Sequence, residues 1–447
     1  MILGGINLMK KKLISALMCM SVAAGLFTGC SQAPATPDTS TPKEEAPAKE
    51  ESTPAPSTDG DKKLVYWSMW EATEAQGQSI QAAIDQYEKD TGIDVDVQFK
   101  GRTGIREGLQ AALDAGTAID LFDEDIDRVN STWGKYLLDL ESFAADTKYE
   151  ETAVPGLISA CREVGGGTLK SIPYQPNLFA FFYNKDLFDQ AGITSVPKTW
   201  DEFLATCEKL KAAGITPITG DDAYITSMAG YHLARLLGEE RVVQVVNEGL
   251  WAEEPAVLEM AKVYEDLAAK GYFSEYIASN VWPAGQNTEL ALGTAAMYLN
   301  GSWLPNEVLG TTGPDFKWGC FSYPAVPNGK TGIEAANFGA QVFAINKDSK
   351  VAKEAFDLIT YITKGTFDAE LSKNSTGIPA DTTNTEWPAL LADVKPVLDS
   401  LSTRYTWAAG IESNSNITPV LKENFLKLCG GQLTAEQFVE NMEKASK

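Results

Sequence analysis

The side chains best suited to chemistry in this chain are rings and charges set at loop tips. Trp70 and Glu71 follow the first expected strand, Arg102 the second, and Glu124, Asp125, Asp127 and Arg128 the third. Tyr174, Asp222, Tyr224, Trp282, Trp303 and Trp407 stand at further turns. Indole and phenol rings offer flat apolar faces, while carboxylates and guanidinium groups make charge-assisted hydrogen bonds. Together they could hold a flat ligand rimmed with hydroxyl groups. Each has a plainer reading. A Trp can fill a core, the run Asp123–Asp127 can be a solvated acidic loop, and Arg102 can pair with Glu107.

Several other chemistries fit poorly. The run from Asp123 to Asp127 is close to a calcium loop, but Arg128 stands where that loop needs Gly and Gly134 where it needs Glu. No phosphate loop of the G-x-x-x-x-G-K type occurs, and Gly165–Gly167 reads as a flexible turn. His232 is the sole histidine and falls in an expected helix, which argues against a His-rich zinc site and against a Ser/His/Asp triad. No metal or cofactor is expected.

The elements that must position these residues follow from periodicity. Leu64–Trp70 is a continuous apolar run, as in a strand buried on both faces. Ser79–Thr91 places Ile80, Ile84 and Tyr87 on one helical face, and Gly92 stops it. Ile93, Val95, Val97 and Phe99 alternate as a strand, Ile105–Ala115 reads as a helix, and Ile119–Phe122 as a third strand. This β-α-β-α-β order implies a parallel sheet, whose ligands sit beyond the carboxyl ends of the strands. Further on, IPYQPNLFAFFY is extended, KDLFDQAG is a short helix ended by Gly192, and Thr199 opens a helix through a capping box to Glu202.

The string Ile172–Ile218 as a whole, IPYQPNLFAFFYNKDLFDQAGITSVPKTWDEFLATCEKLKAAGITPI, resembles the sugar-binding lipoproteins of bacterial ABC importers, the maltose-binding-protein-like solute-binding family. The segment AMYLNGSWLPNE (296–307) resembles the strand and turn whose Trp faces sugar in that family, here Trp303. NFGAQVFAINKDSKVAKEAFDLITYIT (337–363) resembles its return into the first lobe, and Gly377-Ile378-Pro379 is a third crossing. The resemblance implies an α/β, two-lobed, periplasmic-binding-protein-like fold of type II, each lobe a mostly parallel sheet flanked by helices. Residues 63–175 with 339–377 would form lobe 1, and 176–338 with 378–447 lobe 2, joined by a three-segment hinge.

It also implies a non-enzymatic receptor that closes on a mono- or oligosaccharide and delivers it to the transmembrane subunits of an ABC permease. A pyranose has flat C–H faces for rings and hydroxyl pairs for charges, so the loop-tip residues above become its expected contacts. Trp303→Ala is expected to abolish binding and leave the ligand-free melting point near wild type. The competing reading is a secreted glycosidase with two carboxylates about 5–10 Å apart. The same fold could instead take a polyol, a peptide or a uronic-acid ligand.

The N-terminus supplies an address. Lys10, Lys11 and Lys12 precede the apolar run Leu13–Thr28, which is too short to span a bilayer and has signal-peptide polarity. Phe27-Thr28-Gly29-Cys30 resembles a lipobox, although the usual Leu three places before the Cys is Phe27. Residues 1–29 are therefore the expected signal peptide, with Cys30 the lipidation site. Residues 30–62, rich in Pro, Thr and Glu, form an expected tether without the material for a core. Contact with the membrane is expected through the lipid anchor alone, on the outer face, with the protein a monomer. The formal charge of −24 disfavours nucleic acid. Cys161, Cys207, Cys320 and Cys429 lack metal spacing and could pair in three ways, with Cys207 on the apolar face of its helix.

Overall fold

The computed structural model describes residues 63–447. The expected signal peptide, the tether and Cys30 lie outside the described residues. The chain starts with β1 (Lys63–Ser68), α1 (Ala75–Thr91), β2 (Asp94–Phe99), α2 (Gly101–Asp114), β3 (Leu121–Asp125) and α3 (Ile126–Trp133). β1 pairs in parallel with both β2 and β3, as the alternating strand and helix pattern requires. β1 stops two residues short of the expected Trp70. The Met69 N–H donates to the carboxylate of Asp123 at 3.1 Å, and Ser68 ends the pairing with β2 opposite Phe99.

Two long strands run through the middle of the molecule. β4 is Ile172–Asn184. β5 (Thr216–Thr219), β6 (Ala295–Gly301) and β7 (Trp318–Phe321) follow, and then the second long strand, β8 (Ala335–Ile345). β9 (Thr403–Tyr405) comes late in the chain. The strand order is β2-β1-β3-β8-β4-β6-β5, with β7 on β4 and β9 on β8. The sheet is mixed where a mostly parallel one was expected. β5–β6 and β8–β9 are parallel, while β3–β8, β4–β6, β4–β7 and β4–β8 are antiparallel. The reason is directional: β4 carries the chain out and β8 brings it back, so the two must oppose each other.

The apolar side chains divide into two cores. The first holds α1, α2 and α3, the start of β4 through Tyr174, the end of β8 from Val342, and Phe356, Ile359 and Leu371. The second takes Leu157, enters β4 at Leu178 and runs through Phe179 to Phe182, and includes Ala335 to Ala340 and the C-terminal helices Thr418–Cys429 and Ala435–Ala445. Fully burying a side chain of the Leu or Phe type contributes about 1.5–3 kcal/mol. A fully apolar run such as Leu178–Phe182 is therefore expected of a strand covered on both faces. The change from one core to the other falls within the β4–β8 ladder, whose register slips between Tyr174 and Pro176. Gln175 takes up the extra residue with φ 43, and its side-chain amide reaches the Ser375 hydroxyl at 2.5 Å. The chain crosses a third time next to it, where Ile378 packs in the second core and Ala380 in the first.

The helix Trp200–Ala212 carries the capping box read from Thr199 and Glu202. The region 227–270 is three helices, Thr226–Leu237, Glu239–Glu248 and Pro255–Ala269. Cys161, Cys207, Cys320 and Cys429 are buried free thiols, each pushed up in pKa by burial. His232 is buried, 3.0 Å from the Tyr323 hydroxyl, and burial lowers its pKa to about 3. Its role is packing.

Candidate functional site

The parallel strands of both cores point their carboxyl ends toward the β4–β8 crossing. β1 and β3 do so on the first side, with Asp125 of β3 opposite Gln341 of β8. β5 and β6 do so on the second, with Gly301 of β6 opposite Phe179 of β4. The candidate residues lie at these ends, on two walls of different chemistry.

The first wall is built on buried charge. Asp123 lies wholly inside and accepts from the Tyr66 hydroxyl at 2.9 Å, from the Met69 N–H and from the Tyr174 hydroxyl. Burial raises its pKa to about 6. Trp70 is 5% exposed and donates its indole N–H to the Tyr174 hydroxyl at 2.7 Å. Arg102 lies over the Trp70 ring, 4.6 Å from its centroid, and pairs with Glu74 at 2.8 Å rather than with Glu107. The Glu71 carboxylate sits against Gly101, where a Cβ would come within 2.0 Å of Oε1 and φ is +68, so only glycine fits.

Four expected contacts are corrected on this wall. Tyr174 is fully buried, stacked on Phe343 at 4.2 Å, with both Trp70 and Asp123 on its hydroxyl. It supports Trp70 from behind and reaches no surface. Glu124 is also fully buried, held by Arg106 at 2.6 Å and Arg128 at 2.9 Å, because a buried carboxylate must be paired. Asp125 caps α3 by accepting from the N–H groups of Asp127 (2.9 Å) and Arg128 (3.3 Å). Its pKa is raised to about 6 by burial and then by the neighbouring Asp127 and Glu124 carboxylates. Asp127 gives both carboxylate oxygens to Arg404 at 2.9 Å. Arg128 stays half exposed, with its Nε on Glu124.

The second wall is aromatic. Asp221, buried after β5, accepts from the N–H groups of Ala223 (2.7 Å) and Tyr224 (2.9 Å) and from the Tyr298 hydroxyl, which fixes the turn that presents Tyr224. The Tyr224 ring lies 6.1 Å from Trp303, 6.0 Å from Trp407 and 6.4 Å from Trp282, centroid to centroid, with Phe179 beneath at 5.8 Å. The Trp303 indole lies flat on Gly301, where a Cβ would meet three ring carbons within 2.4 Å. Asp222 holds the Trp282 loop by accepting from the Trp282 N–H at 2.9 Å. Trp407 donates its indole N–H to Glu412 at 3.0 Å. Trp282 and Trp407 remain 43% and 38% exposed, far above the usual burial of such large rings.

The structure therefore gathers Tyr224, Trp282, Trp303 and Trp407 into one surface and places Glu71, Arg102 and Arg128 on the other, while Trp70, an expected contact, is buried beneath Arg102 and packs in the first core. Sequence reasoning missed Arg106, Phe179, Arg404 and Glu412. Arg106 had a signal, lying four residues after Arg102 on the same helical face. Phe179 was hidden in an apolar run, and Arg404 carried no signal. Among the described residues no cluster of His, Cys, Asp or Glu could hold a metal, and no helix is long and apolar enough to cross a membrane. A cavity of about 320 Å³ lined by Phe338, Ile378, Trp387 and Leu401 contains none of the candidate residues. It lies on the Phe338 face of β8, opposite Gly339.

The comparisons with known proteins agree with this architecture. A probable secreted solute-binding lipoprotein from Streptomyces coelicolor superposes with a TM-score of 0.71 at 16% identity, over 87% of this chain and 99% of that one. A chitin oligosaccharide binding protein gives 0.65 at 22%, over 87% and 98%. At these identities the likeness speaks for the two-lobed fold. In sequence, a multiple sugar-binding protein of Streptococcus mutans is 29% identical over 203 residues, 43% of this chain and 47% of that protein. The chain spans about half the length of the curated relatives it matches. The model of the bacterial extracellular solute-binding proteins matches residues 71–364, which include the β4–β8 crossing and the wall residues from Glu71 to Trp303. The chain belongs to that family.

Proposed function

We propose that this protein is a sugar receptor of an ABC importer, in which the two cores are lobes that close on an uncharged oligosaccharide and present it to the permease. The observation that carries this reading is the gathering of Tyr224, Trp282, Trp303 and Trp407 from four separate loops onto one surface with two indoles in solvent. Exposed rings are costly unless a ligand covers them, and flat C–H faces suit them. The names of the Streptococcus mutans relative and of the chitin oligosaccharide binder support the same ligand class. The charge pattern favours an uncharged sugar, since Arg102, Arg106, Arg128 and Arg404 each already carry a carboxylate. The same pairing argues against a glycosidase. Glu124 and Asp127 are engaged by arginines, while Asp125 and Asp221 are engaged by backbone N–H groups. Acylation of Cys30 and a monomeric tethered state complete the reading.

The test is a thermal-shift screen of the protein with maltotriose, xylotriose, raffinose, chitotriose and trigalacturonate, followed by chromatography of the recovered sugar. A bound sugar stabilises by RT ln(1 + [L]/Kd), and the expected result is a shift with a neutral sugar recovered intact. A shift with trigalacturonate alone would overturn the uncharged class, and cleaved product would overturn the receptor.

A further inference from the structure

Asp127 was expected to meet the ligand, yet its carboxylate is occupied by a residue of the other core. Asp127 lies in the first turn of α3, which is fixed to the first core by Ile126, Val129 and Trp133. Arg404 lies in β9, which is fixed to the second core by its pairing with Ala335–Asn337 and by the buried Tyr405. The Arg404 Nε donates to the Phe338 carbonyl at 2.9 Å, and Nη2 lies 2.9 Å from each oxygen of Asp127. The guanidinium lies beside Gly339, the β8 residue that pairs with Asn177 where the ladder passes between the cores. The ion pair thus straddles the crossing, with the Arg404 side chain 8% exposed and that of Asp127 33%.

We propose that Asp127 and Arg404 form a hinge stop that holds the two walls apart in the ligand-free protein, so that Arg404 sets affinity without touching the ligand. This rests on the two-lobed receptor reading. Among the described residues no hydrogen bond, ion pair or ring contact joins the residues of one wall to those of the other. The hydrogen bonds, ion pairs and ring contacts of Trp70, Arg102 and Arg128 stay on the first side, and the ring contacts of Tyr224, Trp282, Trp303 and Trp407 stay on the second. Rotation of one core against the other must move α3 relative to β9. The pair, anchored at both ends, is then stretched, and a largely buried guanidinium loses its counter-ion. Ligand must overcome that cost to close the cleft, since a ligand shifts a conformational equilibrium only by its differential affinity.

The experiment has a ligand-free arm and a binding arm. Nitroxide labels on Asp146→Cys and Glu253→Cys, with Cys19→Ser and Cys30→Ser, report the distance between the cores by pulsed dipolar spectroscopy. The four described native thiols are buried and stay unlabelled. Asp127→Asn is expected to extend the distance distribution toward shorter separations, and 0.5 M NaCl to do so partly in wild type and not at all in the variant. Titration with the panel sugar that shifts melting most is expected to give a Kd about five-fold tighter in Asp127→Asn, the upper range for a partly exposed ion pair. Arg404→Lys, which keeps the charge and shortens the reach, should fall between the two and covers the case in which Asp127→Asn folds poorly. Superimposable distance distributions would overturn the proposal. So would weaker binding in Asp127→Asn with unchanged distances, because Asp127 would then be a ligand contact. If no panel sugar binds wild type, the sugar reading falls and the distance arm still decides the hinge stop.

Discussion

The two walls grow from the same topology, the carboxyl ends of parallel strands, and end in opposite chemistry. At the ends of β1 and β3 the side chains that looked most like ligand contacts have turned inward. Glu124 holds two arginines, Asp125 caps a helix, and Asp127 reaches Arg404. On the second wall Tyr224 follows β5, Trp303 follows β6 and Trp407 follows β9, and the rings of Trp282 and Trp407 still face water. The difference is one of partners. A carboxylate near a strand end is drawn to the nearest N–H group or guanidinium, because leaving it buried and unpaired is costly. An indole asks only for something flat, which Gly301 and Phe179 supply to Trp303, and the rings of Trp282 and Trp407 keep exposed area. Charge therefore becomes framework, and aromatic surface remains available for recognition.

The contrast breaks first at Glu124, where the largest effect is expected. Glu124→Gln removes the charge that two half-exposed guanidinium groups share. The loss should be about 3 kcal/mol, the low end for breaking a buried pair, since both arginines can be resolvated. The denaturant midpoint should fall with the slope unchanged. Glu71→Gln, on the same wall but exposed, should change stability by less than about 0.5 kcal/mol. Equal effects would mean that Glu124 is no more structural than its neighbour.

Trp303 tests the other wall. Its indole lies on Gly301 and touches Phe179 and Tyr224, so the early expectation of an unchanged melting point needs revision. Trp303→Ala should cost about 2–3 kcal/mol of stability, below the range for a fully buried ring, as well as binding. Trp282→Ala and Trp407→Ala sharpen the comparison, because their rings are the exposed ones. Each should weaken sugar binding by about ten-fold, from the lost ring contact plus its buried area, and leave the melting point near wild type. A fall in stability without a change in Kd would make the second wall framework as well.

Much of this was legible because it is local. The capping box of Thr199 and Glu202, the alternation from Ile93 to Phe99, and the turn residues before Tyr224 and Trp303 all act within a few positions. What escaped the sequence was the far partner. Arg404 lies 277 residues from Asp127, and no periodicity connects them. Tyr174 was readable as an aromatic residue before the crossing, but its burial depends on Phe343 arriving from the returning strand. Residue type at a loop tip says which chemistry is possible. Whether that chemistry faces outward depends on long-range pairs.

The smallest effect belongs to Asp125 and reads the first wall most finely. Its pKa in the folded protein, raised to about 6 from the ordinary 3.8, means that the folded chain holds a proton which the unfolded chain releases. Its contribution to stability is fully present below about pH 4 and is lost as pH rises through 6. Asp125→Asn keeps the cap, since Asn serves an N-terminus as well as Asp does, and removes the titration. The variant should therefore melt slightly above wild type at pH 7 and lose part of the gain that wild type shows between pH 7 and pH 5. Asp123 titrates in the same window for the same reason, burial, and keeps the remaining slope. A variant whose melting point follows wild type at every pH would place the Asp125 carboxylate in solvent. A variant that melts lower throughout would mean that its charge, like that of Glu124, stabilises the wall.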